Sequence, residues 1–85
     1  MITFLAPKLK FISSTKKTIT KKEVVKDYYN YLFYDTHTGA STIISDWSTD
    51  PFNDVLEPNH SYQVTGFINT SQRGNFLVIK EITEV

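Results

Sequence analysis

Apolar residues along this chain fall in short runs of alternating character, separated by clusters of turn-forming residues, and no stretch shows the spacing of a conventional amphipathic helix. Runs of this kind, built from Val, Ile, Tyr, Phe and Thr, predict an all-β fold. The first segment is KLKFISSTKKTIT, residues 8–20. Leu9 and Phe11 supply its apolar positions, Ile12 is a third candidate, and Ile19 resumes the pattern after SSTKK. It reads as one long bent strand, or as a strand carrying a bulge. KKEVVK has the character of a lysine-rich loop, and a second strand spans Asp27 to Tyr34. In DTHTG, Asp and Thr can bond their own backbone and Gly39 can take positive φ, so this is a hairpin turn into the partner strand ASTIISDW.

Residues 48–59, STDPFNDVLEPN, contain two of the three prolines and no clear alternation. They predict a loop with at most one helical turn at FNDVL, where Phe52, Val55 and Leu56 would share a side. In SYQVTGFIN, Tyr62, Val64, Gly66 and Ile68 face one way while Gln63, Thr65 and Phe67 face the other. After the loop TSQRG, the last strand, NFLVIKEITEV, is apolar on both faces, as in a closing barrel. Five strands on one domain, residues 1–85, suit a small Greek-key barrel of the OB type with little or no helix. An SH3-like barrel is the nearest competitor and has similar strand lengths.

The aromatic strand is the most informative stretch. DYYNYLFYDTHTG holds five rings between residues 28 and 34, and strand alternation divides them. Asn30 in the core would need its amide fully bonded, and an unpaired group costs about 1–3 kcal/mol. That favours Tyr28, Asn30, Leu32 and Tyr34 outside, with Tyr29, Tyr31 and Phe33 filling the barrel. The alternative keeps Leu32 inside and presents Tyr29 and Tyr31 to solvent. Trp47 ends the partner strand, either as an exposed ring or as a cap on an open barrel end. Phe67 is either an outward ring or a core residue.

Composition narrows the class. A chain of 85 residues that is 40% hydrophobic and 14% aromatic is that of a folded globular domain. At this size folding buries only about 60–65% of the unfolded surface, so the core is thin. The absence of Cys removes disulfides and Cys-based zinc sites. The N-terminal MITFLAPKLKF is broken by Thr3, Pro7 and Lys8 before it reaches the length of a secretory apolar region, and no window approaches a membrane span. The expectation is a soluble cytoplasmic protein with no membrane partner. On that expectation the glycosylation sequons at Asn59 and Asn69 are coincidental.

The net charge is zero, yet its distribution is uneven. Residues 1–26 carry seven lysines (8, 10, 16, 17, 21, 22 and 26) against Glu23, a net of +6; residues 27–85 carry Arg73 and Lys80 against eight acids, a net of −6. A positive field is therefore concentrated on whatever element the first 26 residues form. A solvated lysine-rich edge would show the same composition.

The order of elements, with YYNYLFYDTHTG and LEPNHSYQVTGFINTSQRGNFLVIKEI, resembles the small OB-fold single-stranded-DNA-binding proteins of bacterial phages, plasmids and other mobile elements. The two stretches cover about half of the chain. The resemblance lies in an aromatic second strand ending in a D-x-x-x-G turn and a closing hairpin with a Y-x-V-x-G-x-I strand. It implies sequence-tolerant binding of single-stranded nucleic acid, DNA favoured over RNA, in replication or transfer of such an element. Bases stack on aromatic rings, at about 1–3 kcal/mol each, and lysines hold phosphates in a salt-dependent way. The candidate contacts are Lys8, Lys10, Lys16, Lys17, Lys21, Lys22, Tyr28, Asn30, Tyr34, Trp47, Phe67 and Arg73. Arg73 at a hairpin tip either solvates its loop or flanks the groove. Asp27, Asp35, Asp46, Asp50 and Asp54 depart from the pattern, because they would repel phosphates unless they point elsewhere.

No catalytic constellation is expected. His37 and His60 lie in turns without metal-ligand spacing, Asp35 and His37 with a nearby Ser are ordinary turn residues, and the glycines at 39, 66 and 74 are isolated. Neither enzyme activity nor a cofactor or metal is expected. The competing function is a protein-interaction barrel. It would dock as an accessory subunit on a replication protein such as a polymerase or helicase, through an aromatic patch or by adding a strand at an open edge.

Overall fold

A computed structural model describes residues 1–85. Five strands, β1 (Ile2–Lys21), β2 (Val24–Asp35), β3 (Ala40–Asp46), β4 (Ser61–Ser71) and β5 (Gly74–Glu84), close into a barrel in the order β1-β2-β3-β5-β4. All neighbours are antiparallel except β3 and β5, whose parallel seam pairs Ile44 with Leu77 and Ser45 with Val78. The only helix is a 3-10 turn at Phe52–Asp54. Its surroundings match the expected loop in part: Leu56 is buried and Phe52 packs on the core, but Val55 points to solvent.

β1 serves two neighbours in succession, pairing with β4 through its first half and with β2 through its second. It begins at Ile2, six residues before the expected Lys8. Pro7, which has no N–H to give a ladder, falls in an irregularity between Ala6 and Leu9. The expected bulge lies between Phe11 and Ser13 and turns Ile12 outward, while Leu9 and Phe11 stay in the core. A third irregularity lies between β4 and β5, where consecutive Thr65 and Gly66 pair with Glu81 and Ile79, and Lys80 of β5 is the extra residue. Gly66 beside it is required by close packing, since an added Cβ would overlap the Val78 carbonyl oxygen and sit 2.8 Å from the Phe4 ring.

The segment KKEVVK is not a loop. Lys21 pairs with Val24, leaving only Lys22 and Glu23 between the strands, both with positive φ (50° and 67°). This is the backbone of a two-residue primed turn, a conformation usually taken by Asn-Gly and therefore invisible in a Lys-Glu pair. β2 thus starts at Val24, not at Asp27. β3 reaches only as far as the Tyr29–Asp46 pair, so the five rows from Lys17–Tyr28 to Lys21–Val24 form a free two-stranded ribbon, about 17 Å long at strand spacing. The ribbon accounts for an elongated molecule of 41 × 27 × 19 Å.

The core is Leu9, Phe11, Tyr31, Phe33, Ile44, Leu56, Tyr62, Val64 and Ile79. Tyr31 and Phe33 are fully buried and meet Phe11 edge to face, while Tyr29 packs half-buried at the barrel mouth. The odd-numbered rings therefore fill the barrel. Across from them, Tyr34 is exposed and Tyr28, Asn30 and Leu32 are half-buried on the outer surface.

Candidate nucleic-acid interface

Register decides which side chains share the outer surface. Cross-strand partners lie on one face, so Ser13, Thr15, Lys17, Ile19 and Lys21 of β1 stand beside Leu32, Asn30, Tyr28, Lys26 and Val24 of β2. Asn30, Leu32 and Tyr34 then stand beside Ser45, Ile43 and Ser41 of β3. The Asn30 amide oxygen accepts a 2.8 Å hydrogen bond from the Ser45 hydroxyl across the β2–β3 pair on the outer surface. The surface continues through Val78, Phe76 and Phe67 of β5 and β4, where Phe76 is 45% exposed and Phe67 is half-buried.

At the base of the ribbon the rings of Tyr28 and Trp47 stack, with centroids 4.0 Å apart and planes within 11°. The Lys26 ammonium lies 5.5 Å from the Trp47 ring centroid. Trp47 is a half-buried ring whose neighbours are Tyr28 and Lys26 on the outer face, and it is not among the rings packed on the core. The two rings form one platform and not two separate sites, because each covers part of the other.

A buried carboxylate fixes this platform. Asp46, 1% exposed, accepts hydrogen bonds from the Tyr31 hydroxyl at 2.6 Å, the Ser48 backbone N–H at 3.0 Å, the Phe52 backbone N–H at 2.9 Å and the Ser48 hydroxyl. It ties the end of β3 both to a core tyrosine and to the connection beyond Trp47. Burial, reinforced by the hydrogen bond to Asp46 and its charge, drives the Tyr31 hydroxyl pKa far above the ordinary phenol value.

The acids that would oppose a phosphate backbone are disposed differently, and Asp27 still lines a cavity at the base of the ribbon with Lys16, Lys26, Tyr29 and Trp47. Asp46 is buried. Asp27 faces the opposite side of the ribbon, where it accepts from the Thr18 hydroxyl at 2.8 Å and pairs with Lys16 at 3.6 Å. Asp35 accepts from the His37 backbone N–H at 2.9 Å in the β2–β3 turn, which holds its carboxyl below the usual range. Asp50 and Asp54 stay on the exposed connection.

The candidate residues are thus only partly assembled. Lys17 and Lys21 share the face of Tyr28 and Trp47, with Lys22 at the ribbon tip and Asn30 two positions along β2. Lys16 faces the other way and is tied to Asp27. Lys8, in the first irregularity, and Lys10, paired with Tyr34, lie toward the far end of β1. Arg73 occupies the tip of the β4–β5 hairpin, exposed and remote in sequence from the platform. Sequence reasoning missed Lys26, Ile43 and Phe76 as surface groups. Lys26 was legible in principle, since it stands two residues before Tyr28, but only once Val24–Lys26 is known to be strand.

No family model matches the chain, and no curated protein matches it in sequence. Among solved structures it is similar to the second OB-fold domain of replication protein A from Methanococcus maripaludis, determined by solution NMR. The TM-score is 0.60 and the identity 14%, over 92% of this chain and 79% of that one. At such identity the likeness speaks to architecture alone, and together with the strand order it makes this chain an OB-fold barrel.

Proposed function

We propose that this chain binds single-stranded nucleic acid without strong sequence preference, DNA ahead of RNA, and has no reaction of its own. The observation that carries the reading is the Tyr28–Trp47 stack, set on the same face as Lys17, Lys21 and Lys26. Rings offer every base a π surface, and lysines release condensed counterions when they meet phosphates. The OB barrel supports it as architecture, since its strand 2–3 face and the loops beside it form a common oligonucleotide surface. A role in replication or transfer of a phage or other mobile element is what the sequence resemblance implies.

Electrophoretic or anisotropy titration with oligo-dT, oligo-rU and a matched duplex tests the reading. The expected order is dT first, rU second and duplex last; equal affinity for dT and duplex contradicts it. A second reading, docking on a replication protein such as a polymerase or helicase, is favoured by Ile43 and Phe76, 57% and 45% exposed on the same outer surface. In that case Ile43→Ser/Phe76→Ser abolishes co-purification with the partner while oligonucleotide binding is absent from the outset.

A further inference from the structure

His60 stands where the connection after β3 enters β4, and the backbone around it ties separate segments together. Its N–H donates to the Glu57 carbonyl at 3.1 Å, its carbonyl accepts from the Phe11 N–H of β1 at 2.9 Å, and beside it the Val85 N–H donates to the Ser61 carbonyl at 3.0 Å. The ring lies between two carboxylates carried by different elements. Nε2 is 3.2 Å from Glu57 of the connection, and Nδ1 is 3.6 Å from Glu84 of β5. No lysine or arginine pairs with either glutamate. On β1 the nearest charge in register is Lys10, opposite Ser61. On β4 the Tyr62 hydroxyl is engaged by the Glu57 N–H and the Val55 carbonyl.

An ionised carboxylate only accepts hydrogen bonds, so each ring nitrogen needs a hydrogen to meet one. Neutral imidazole has a single N–H and turns a lone pair on one of the two glutamates, whereas imidazolium has a donor for each. We propose that His60 is a proton-operated latch. Charged, it fastens the end of β5 to the connection through both carboxylates; neutral, it keeps Glu57 and releases Glu84, the more distant of the two. Imidazole ordinarily changes charge between about pH 5 and 8. The second contact is therefore present at the acid side of that range and is lost as pH rises through it. The three side chains are between 46% and 65% exposed, which keeps the effect small and local. Asp46 fastens the other end of the same connection through the Ser48 and Phe52 N–H groups, so release at His60 leaves the Tyr28–Trp47 stack in place.

The test is amide hydrogen exchange, read by NMR on the full chain at about pH 5.5 and about pH 8, either side of the imidazole range, and corrected for the intrinsic pH dependence of exchange. In the wild type, protection of the Val85 amide should fall about two- to fivefold at the higher pH, the size expected of one exposed ion pair. Protection of the His60 amide, whose Glu57 partner is kept, should change little, and Trp47 emission should stay constant. His60→Gln, which cannot titrate, and Glu84→Gln, which removes the released partner, should each abolish the fall at Val85. Both variants keep His37, so its titration is separated from that of His60. Constant protection at Val85 in the wild type, or an equal fall in His60→Gln, overturns the latch. A fall at Val85 that comes with a change in Trp47 emission means general loosening, and it overturns the latch as well. None of these readouts depends on oligonucleotide binding.

Discussion

Trp47 owes its place to Asp46. A carboxylate in the core of an 85-residue barrel is costly to desolvate, and here four donors offset that cost. Asp46→Asn turns one acceptor oxygen into a donor facing backbone N–H groups. It should destabilise by about 3 kcal/mol in urea unfolding and loosen the Tyr28–Trp47 stack, seen as a loss of near-UV circular dichroism. Tyr31 has a linked pH signature. Its folded pKa is raised, so its contribution is fully present below the unfolded phenol value of about 10 and is lost as pH rises beyond it. Tyr31→Phe should flatten the alkaline decline in stability while lowering stability at pH 7. At the platform, Trp47→Ala should weaken oligo-dT binding by about 5- to 150-fold, and adding Tyr28→Ala should cost less than the sum, because the rings act as one stack. The inward set of Tyr31 and Phe33 was legible from the need to keep Asn30 at the surface. The burial of Asp46 was not, because its donors come from an irregular connection and a tyrosine fifteen residues away.

At the scale of elements, the ribbon was hidden by its turn. Lys22 and Glu23 adopt positive φ without the help of Gly or Asn, at a cost of roughly 1–2 kcal/mol per residue. Lys22→Asn/Glu23→Gly should therefore raise the unfolding free energy by about 1 kcal/mol in denaturant titration, despite the loss of a lysine. The alternation of β4 was legible in its first half: Tyr62, Val64 and Gly66 are buried, while Ile68, expected on the same face, is only half-buried, as are Gln63, Thr65 and Phe67. What alternation could not say is that Gly66 must be Gly. Gly66→Ala drives a methyl into the Val78 carbonyl and the Phe4 ring, and should lower stability by about 1–3 kcal/mol in the same assay. The 3-10 turn at Phe52–Asp54 was legible as a single turn, but the outward Val55 was not, since three residues of helix set no stable face.

At the scale of the whole molecule, charge is divided unevenly between the two parts of the sequence. The +6 of residues 1–26 was plain in the sequence, but it spreads over the length of β1, and only Lys17, Lys21, Lys22 and Lys26 gather at the ribbon beside the stacked rings. Of the acids at this end, Asp27 pairs with Lys16 and Asp46 is buried, while Glu23 stands exposed beside Lys22 at the ribbon tip. The consequence is a local cluster of lysines on a protein of zero net charge, and the proposed binding rests on that cluster. Trp47, the single tryptophan, reports directly on it. The decisive measurement is its fluorescence during titration with oligo-dT at two salt concentrations. Stacking of bases on Trp47 predicts strong quenching at low salt, with affinity falling as salt rises by about 0.7 in log–log slope per phosphate held, so that two to four contacts give a slope of about 1.5 to 3. No change in Trp47 emission at low salt, with protein at concentrations on the order of 10⁻⁵ M, would contradict the account.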